Sequence, residues 1–352
     1  LSLVASSDDW CAKGKNVKIE IITNLNDNLK ETGFGPFQAC ENMKQSLLRI
    51  DHSAIVTVCN NLSDLDGVVK RKPDIVVLAV KYVVIESGEF IWLSDFFDKH
   101  NISFTGSTRE TLQYDSNKIL GKERVSAKNI PTGKYFTTIP NQYKHAEELP
   151  LAFPLFLKPS DSANGNGIDT MSLVHEFSEY KTKVSTLYEE YMQPILVEEY
   201  LEGLEFIVSI IESGGRLIAI PIEIIPPKKD GIRILGSKVK TENSEILSRI
   251  FDSKTLRMIL EIAEKSFKAL GIRDFGRIDI KMDKHGNCKF MEANLVPGLK
   301  KGSSYFPRAC KIAADIKYDE LICLMIQGAI DRSQNININI IGNKYEDTVE
   351  LS

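Results

Sequence analysis

Residues 271–308 constrain this chain more than any other stretch. Across 276–282 polar and apolar residues alternate, the two-residue period of a half-buried strand. That period puts Arg277 and Asp279 on one face and Ile278 and Ile280 on the other. Asp283-Lys284-His285-Gly286-Asn287 has hairpin length and turn chemistry. The chain then returns as a second strand in which Glu292 and Asn294, two apart, again share a face. Such a hairpin gathers one cation, two carboxylates and an amide on one surface, although sequence alone leaves the register open. Two carboxylates and an amide oxygen are hard ligands suited to Mg²⁺, and a neighbouring arginine suits a phosphoryl group in transfer. The stretch reads as a nucleotide-dependent active site.

A chain of 352 residues exceeds one ordinary core, so two or three domains are expected. Its 43% hydrophobic and 26% charged residues are those of a soluble globular protein. A net charge of −4, with no Lys/Arg run interleaved with aromatics, gives no reason to expect nucleic acid as a partner. No apolar run approaches the roughly 20 residues that span a bilayer, and no basic start leads into an apolar core. No membrane partner is expected, and the expected compartment is the cytoplasm. The six cysteines are scattered without Cys-x-x-Cys, which fits reduced thiols acting as small buried apolar residues. The five histidines form no i, i+4 pair and read as structural or surface residues.

Along the chain, residues 1–15 are polar and read as loose, and 17–22 read as a strand. The segment 23–36 after it matches neither Gly-x-Gly-x-x-Gly nor Gly-x-x-x-x-Gly-Lys-Ser/Thr. A helix over 37–49, strands over 54–59 and 74–80, a helix over 90–100 and a closing segment 102–107 predict an open α/β domain. A charged helix follows over 115–128, with Lys118 and Lys122 four apart on one face. Taken alone, that pair reads as a solvated helix face. A short apolar strand then ends in Lys158, and a loop of small residues follows over 159–168. Gly and Ser there allow backbone N–H groups to approach an anion.

A helix over 172–191 and a strand entering a Gly turn at Gly203 come next. Two strands, 206–211 and 217–225, surround Ser213-Gly214-Gly215 as a hairpin. Residues 226–243 read as a mobile Pro/Lys/Gly-rich loop carrying Lys238. The best helix covers 253–270, with Ser253 as N-cap, a stripe of Leu256, Ile259, Ala263, Phe267 and Leu270, and Gly271 as terminator. A last amphipathic helix covers 318–330, and the alternating Asn-Ile tail reads as edge strand or disorder. No internal repeat is visible.

These pieces together resemble the ATP-grasp superfamily and, within it, the D-alanine–D-alanine ligases, over roughly residues 102–330. The resemblance rests on Thr105-Gly106-Ser107 with Asn117-Lys118, on Phe153-Pro154-Leu155-Phe156-Leu157-Lys158-Pro159-Ser160, and on Leu196-Val197-Glu198-Glu199-Tyr200-Leu201-Glu202-Gly203-Leu204-Glu205. Its strongest part is Gly276-Arg277-Ile278-Asp279 with Glu292-Ala293-Asn294, Pro297-Gly298 and Ser303-Ser304-Tyr305-Phe306-Pro307.

The resemblance implies an ATP-grasp fold of three subdomains. These would be an N-terminal open parallel α/β domain (1–125), a central subdomain (126–212) and a C-terminal catalytic subdomain (213–332) that sandwich ATP, followed by a tail (333–352). It implies an ATP-dependent carboxylate–amine ligase working through an acyl phosphate. Lys118, Lys158 and Ser160 would hold phosphates. Glu198, Tyr200 and Leu201 would line the adenine, and Glu205 would hold the ribose. Lys238 would reach the γ-phosphate. Asp279, Glu292 and Asn294 would bind two Mg²⁺ ions. Arg277 and the Gly298 N–H would stabilise an oxyanion. Ser303, Ser304 and Arg308 would meet a substrate carboxylate, with a surface role standing beside this one for Arg308. The family often forms homodimers through its N-terminal domain.

Four departures accompany these matches. The N-terminal Gly-Gly-x-Ser-x-Glu-x-x-Val-Ser signature of the ligases that make D-Ala-D-Ala gives way to Thr23-Asn24-Leu25-Asn26-Asp27-Asn28. Their His-Gly-x-x-Gly-Glu-Asp-Gly segment gives way to Val80-Lys81-Tyr82-Val83-Val84-Ile85-Glu86-Ser87-Gly88. Their Gly-Ser-Ser becomes Ala163-Asn164-Gly165, and Val239 stands where they have Tyr. The ATP half is kept and the amino-acid half rewritten, so the expected substrates are amino acids or amino acid-like acids other than two D-alanines. The alternatives are a small-molecule kinase of the same superfamily and a nucleotide-binding module without ligase activity.

Overall fold

Strand and helix alternate through the first hundred residues of the computed structural model, as the apolar runs predict. The structure describes residues 16–24, 33–162, 165–229 and 231–346, with side chains described as far as residue 334 apart from that of Ser116. Residues 1–15, the segment holding Leu25, Asn26, Asp27 and Asn28, and Ala163 and Asn164 of the small-residue loop lie outside these.

The first layer is built from β1 (Lys18–Thr23), α1 (Phe37–Arg49), β2 (Ser53–Val58), α2 (Leu62–Arg71) and β3 (Ile75–Leu78), continued by β4 (Tyr82–Val84), β5 (Phe90–Trp92), α3 (Leu93–Lys99) and β6 (Ser103–Phe104). Its parallel sheet has the order β2-β1-β3-β6. The helix expected over 90–100 is shorter, because β5 pairs antiparallel with β4 instead. Tyr82 meets both Phe90 and Trp92 edge-on, at 4.7 and 5.3 Å, and such cross-strand aromatic pairs outweigh helix propensity over three residues.

The single helix expected over 115–128 is two, α4 (Arg109–Ser116) and α5 (Lys118–Ser126), broken at Asn117. The Asn117 side chain accepts from the Leu120 N–H at 3.0 Å and caps α5. Lys118 and Lys122 share a face, as their spacing requires. That face is buried, so the solvated reading is corrected.

A second sheet, antiparallel and ordered β7-β10-β8-β9, comprises β7 (Tyr135–Thr138), β8 (Leu155–Pro159), β9 (Leu173–Val174) and β10 (Ile195–Glu199). It is covered by α6 (Phe177–Tyr191), whose Tyr180, Val184 and Leu187 pack on Leu155, Leu157, Ile195 and Val197. This helix starts five residues later than expected, since Leu173 and Val174 are used as a strand.

The third sheet, ordered β15-β12-β11-β16-β17, holds the predicted hairpins: β11 (Glu205–Ser213) with β12 (Arg216–Ile225), and β16 (Phe275–Met282) with β17 (Cys288–Asn294). Between them the chain is not an unstructured loop. It forms the small hairpin β13 (Lys228–Lys229) and β14 (Ile232–Arg233), then α7 (Ser237–Glu242), β15 (Ile246–Ser248) and α8 (Ser253–Leu270). The N-cap of α8 is Asp252 rather than Ser253. Its carboxylate accepts from the Thr255 N–H at 2.7 Å, while Gly271 closes the helix at φ 71°. Ile259, Ala263, Phe267 and Leu270 join a core that runs from Ile19 and Val77 of the first sheet to Val208 and Ile278 of the third. Two helices finish the chain. The first, α9 (Tyr305–Ala314), was not anticipated, and α10 (Tyr318–Glu346) continues as helix through the Asn-Ile tail where edge strand or disorder was expected.

Cys40, Cys59, Cys288 and Cys310 are free and buried, but Cys323 is disulfide-bonded, which corrects the expectation of six reduced thiols. Among the described residues no helix is long and apolar enough to cross a membrane.

Candidate active site

The β16–β17 hairpin settles the register that sequence left open. Arg277 lies opposite Asn294 and Asp279 opposite Glu292. A bulge after Asp279 leaves Met291 as an extra residue, so Met291 and Glu292 both reach the cleft. Arg277 grips Asp279 with two hydrogen bonds, Nε to Oδ1 at 2.7 Å and Nη2 to Oδ2 at 2.8 Å. Asn294 donates from Nδ2 to Asp279 Oδ2 at 3.3 Å, leaving its own Oδ1 uncommitted. Burial raises the Asp279 pKa against the pull of Arg277. For Glu292 burial acts in the same direction, but Lys118, Lys158, Lys240 and Arg277 outweigh it and hold the carboxyl at about 2. The nearest of these, Lys118 Nζ, is 3.9 Å away, so Glu292 keeps lone pairs for another ligand.

The second sheet faces this floor and brings its own charges. Glu198 on β10 lies between Lys122 Nζ (2.7 Å) and Lys158 Nζ (2.6 Å), and all three side chains are almost wholly buried. Burial alone would raise the Glu198 pKa; the two ammonium groups reverse that and bring it to about 2. Both oxygens of Glu198 are thus held by lysines rather than turned toward an adenine. Lys118 donates to the Ser162 carbonyl at 2.6 Å, tying α5 to the small-residue loop. Its pKa is lowered by burial.

Phe156 and Tyr200 stack at 6.4 Å along one wall of this cleft, with Leu201 beside them. Glu205 pairs with Lys281 at 3.0 Å, and Lys281 also lies over the Tyr200 ring. Gly203 lets the connection from β10 press against β16, since a Cβ there would stand 2.6 Å from that of Met282.

Three expected residues are placed differently. Lys238 is 85% exposed at its side chain and near only Glu242, at 3.9 Å. Two residues further on, and so on the opposite side of this short helix, Lys240 lines the cleft, with Nζ against Gly165 of the small-residue loop. Gly236 makes this possible by approaching the Ile168 carbonyl more closely than any Cβ would permit. Ser160 is bonded to Gln193 at 2.7 Å and does not line the cleft. Arg308 is tied to buried Glu245 at 2.7 Å and to Asn243 at 3.1 Å, and it does not line the second cleft.

A second cleft opens beyond Glu292, lined by Gly298, Ser303, Ser304, Tyr305, Lys300 and Arg277, and it shares Lys240 and Glu292 with the first. Its far wall is Gly33, Gly35 and Pro36, fixed by the Leu299 N–H donating to the Phe34 carbonyl at 2.8 Å. Buried Lys81 pairs with buried Asp115 at 3.4 Å, and Asp115 accepts from the Leu295 N–H at 2.6 Å. The first layer thereby fixes the backbone next to Asn294. Sequence reasoning missed Lys122, Lys240, Lys281 and Lys300 as site residues. Only Lys122 carried a signal, its i, i+4 spacing from Lys118.

Among the described residues no three His, Cys, Asp or Glu side chains cluster as a metal site. The available donors are two carboxylates and an amide oxygen on one hairpin face. That set fits Mg²⁺, which takes one or two carboxylates and completes its shell with water and phosphate.

Comparison with known proteins agrees with this arrangement. The D-ala D-ala ligase C-terminus family matches residues 125–327, more than half of the chain. The protein y4sG of Sinorhizobium fredii is 25% identical over 230 residues, 63% of this chain and 64% of that protein. A D-alanine--D-alanine ligase of Petrotoga mobilis is 30% identical over 184 residues, 52% of this chain and 59% of that one. The chain thus spans less than two thirds of the length of either relative. In structure it is similar to the D-alanine--D-alanine ligase of Bacillus anthracis complexed with ATP, with a TM-score of 0.70 at 19% identity, over 91% of this chain and 99% of the other. The likeness shows a shared fold, the ATP-grasp arrangement of one parallel and two antiparallel sheets. The chain belongs to the D-ala D-ala ligase C-terminus family.

Proposed function

We propose that the chain is an ATP-dependent carboxylate–amine ligase. It would join an amino acid or amino acid-like acid to an amine and release ADP and phosphate. One observation carries this reading: Lys118, Lys158 and Lys240 act together on Glu292, which lines one cleft with Asp279 and the second with Asn294 and Arg277.

In this reading the three lysines hold the phosphates, and Phe156, Tyr200 and Leu201 take the base. Asp279, Glu292 and Asn294 hold Mg²⁺, as two ions, and Mg²⁺ bound there neutralises charge on the phosphates. A substrate carboxylate oxygen attacks the γ-phosphorus, the bond to ADP breaks, and an acyl phosphate results. The amine of the second substrate then attacks the acyl carbon, phosphate leaves, and the nitrogen loses a proton. Arg277 is oriented for the oxyanion of that step because Asp279 fixes its plane while Nη1 stays uncommitted. Fixing groups in place is most of what such a reaction needs from the protein.

Phosphate release from Mg·ATP, measured against single and paired amino acids with mass spectrometry of products, tests this reading. Release that requires a pair, with a product one water lighter than their sum, supports it. Release with one acid and a phosphorylated product replaces it with a kinase. The two loop lysines separate sharply. Lys240→Met is expected to lower kcat/KM for ATP by about 10²-fold or more, the scale of losing one preorganised charge contact. Lys238→Met, with its side chain in solvent, should stay within twofold. Equal losses at both positions would remove Lys240 from the site.

A further inference from the structure

Three cations line the second cleft, Lys240, Arg277 and Lys300, against one described carboxylate, Glu292. The proposed reaction accounts for two of them. Lys240 also lines the nucleotide cleft, and Arg277 is fixed by Asp279. Lys300 is left over. It is half-buried and has no ion-pair partner among the described residues. Its neighbour Lys301 is directed elsewhere, with Nζ over the Tyr318 ring at 5.7 Å.

Two further observations bear on an anion here. The start of α9 carries no side-chain cap, because the Ser304 hydroxyl accepts instead from the Lys300 N–H at 3.0 Å. In the first turn of this ten-residue helix the N–H groups of Tyr305 and Phe306 remain for an anion, Pro307 having none. Tyr305, the first residue of the helix, lines the same cleft. It is 8% exposed, and its hydroxyl has no hydrogen-bond partner among the described residues. One carboxylate fits the helix start with Ser303, and Lys300 stands ready for another.

We infer that the second cleft takes an amino acid with an acidic side chain, its extra carboxylate paired with Lys300. This rests on the ligase reading for the role of the cleft but is tested apart from it. Binding of D- and L-glutamate, D- and L-aspartate and D- and L-alanine would be measured calorimetrically, with Mg²⁺ and a non-hydrolysable ATP analogue present. Phosphate release would be followed in parallel with ATP.

An acidic amino acid should bind at least tenfold tighter than alanine. Lys300→Gln should remove that preference, Lys300→Glu should reverse it, and Lys301→Gln should leave it unchanged. Alanine binding as well as glutamate and aspartate, or Lys300→Gln leaving the preference intact, overturns the inference and leaves the ligase reading standing. Acidic amino acids that bind through Lys300 without turnover, alone or paired, support the inference while the ligase reading fails.

Discussion

Glu198→Gln is expected to destabilise the fold more than any other single isosteric change at the site. The substitution keeps the shape of the side chain and deletes one negative charge. Lys122 and Lys158, at 2.7 and 2.6 Å, would then be two buried ammonium groups without their counter-charge. Removing one partner of a buried ion pair costs about 3–5 kcal/mol, because the remaining charge stays desolvated. The position of the carboxyl's titration gives a similar figure. A fall from 4.5 in the unfolded chain to about 2 in the folded one corresponds to about 3 kcal/mol.

The sign of that linkage also sets a pH window. The group's pKa is depressed in the folded state, so its contribution is complete above the unfolded value and lost as pH falls from 4.5 toward 2. Urea unfolding at pH 7 should show a clear drop in midpoint for Glu198→Gln. The difference from wild type should shrink at pH 3, where the wild-type carboxyl is losing its advantage. Adding Lys122→Met to Glu198→Gln should restore part of the loss, since one orphaned charge is removed with its partner. A midpoint for Glu198→Gln no different from that of the exposed Glu261→Gln would mean that the lysines are not held by this carboxylate.

The floor of the cleft was legible in the sequence, and its electrostatics were not. Period-two alternation over 276–282 placed Arg277 and Asp279 together because a strand has only two faces. Glu292 and Asn294 followed for the same reason. The bulge at Met291 carries no such signature. Lys118 and Lys122 show what local pattern omits. Four-residue spacing fixes a shared face, but whether that face meets water depends on a sheet formed later in the chain, whose Glu198 pairs with Lys122. Lys240 escaped the sequence reading for a related reason. A six-residue helix has too few turns to write a period, and the close approach of Gly236 to Ile168 decides which lysine turns inward. The β4–β5 hairpin was hidden because its three-residue strands, Tyr82–Val84 and Phe90–Trp92, are held by aromatic contacts across a turn.

Glu292→Gln should separate catalysis from folding at the same site. Unlike Glu198, Glu292 has no close ion-pair partner; its side chain is 25% exposed and its nearest ammonium is 3.9 Å away. The amide leaves buried Lys118 with its bond to the Ser162 carbonyl but without its nearest carboxylate, so the urea midpoint should fall, by less than for Glu198→Gln, whose two lysines sit at hydrogen-bond distance. Activity should fall much further. Four cations hold this carboxyl at about 2, so it is fully ionised at neutral pH, and the variant removes a full negative charge from the proposed Mg²⁺ site. Losing one hard anionic donor should raise the Mg²⁺ concentration needed for half-maximal rate by at least tenfold and lower kcat by about 10²–10³-fold. Asp279→Asn should lose a comparable amount of activity but more stability, because Arg277 loses both of its charge-assisted hydrogen bonds. That contrast between opposed residues on one hairpin is what distinguishes a metal ligand from a structural ion pair. Near-wild-type turnover by Glu292→Gln at low Mg²⁺ would show that the face is a salt-bridged surface and not a metal site.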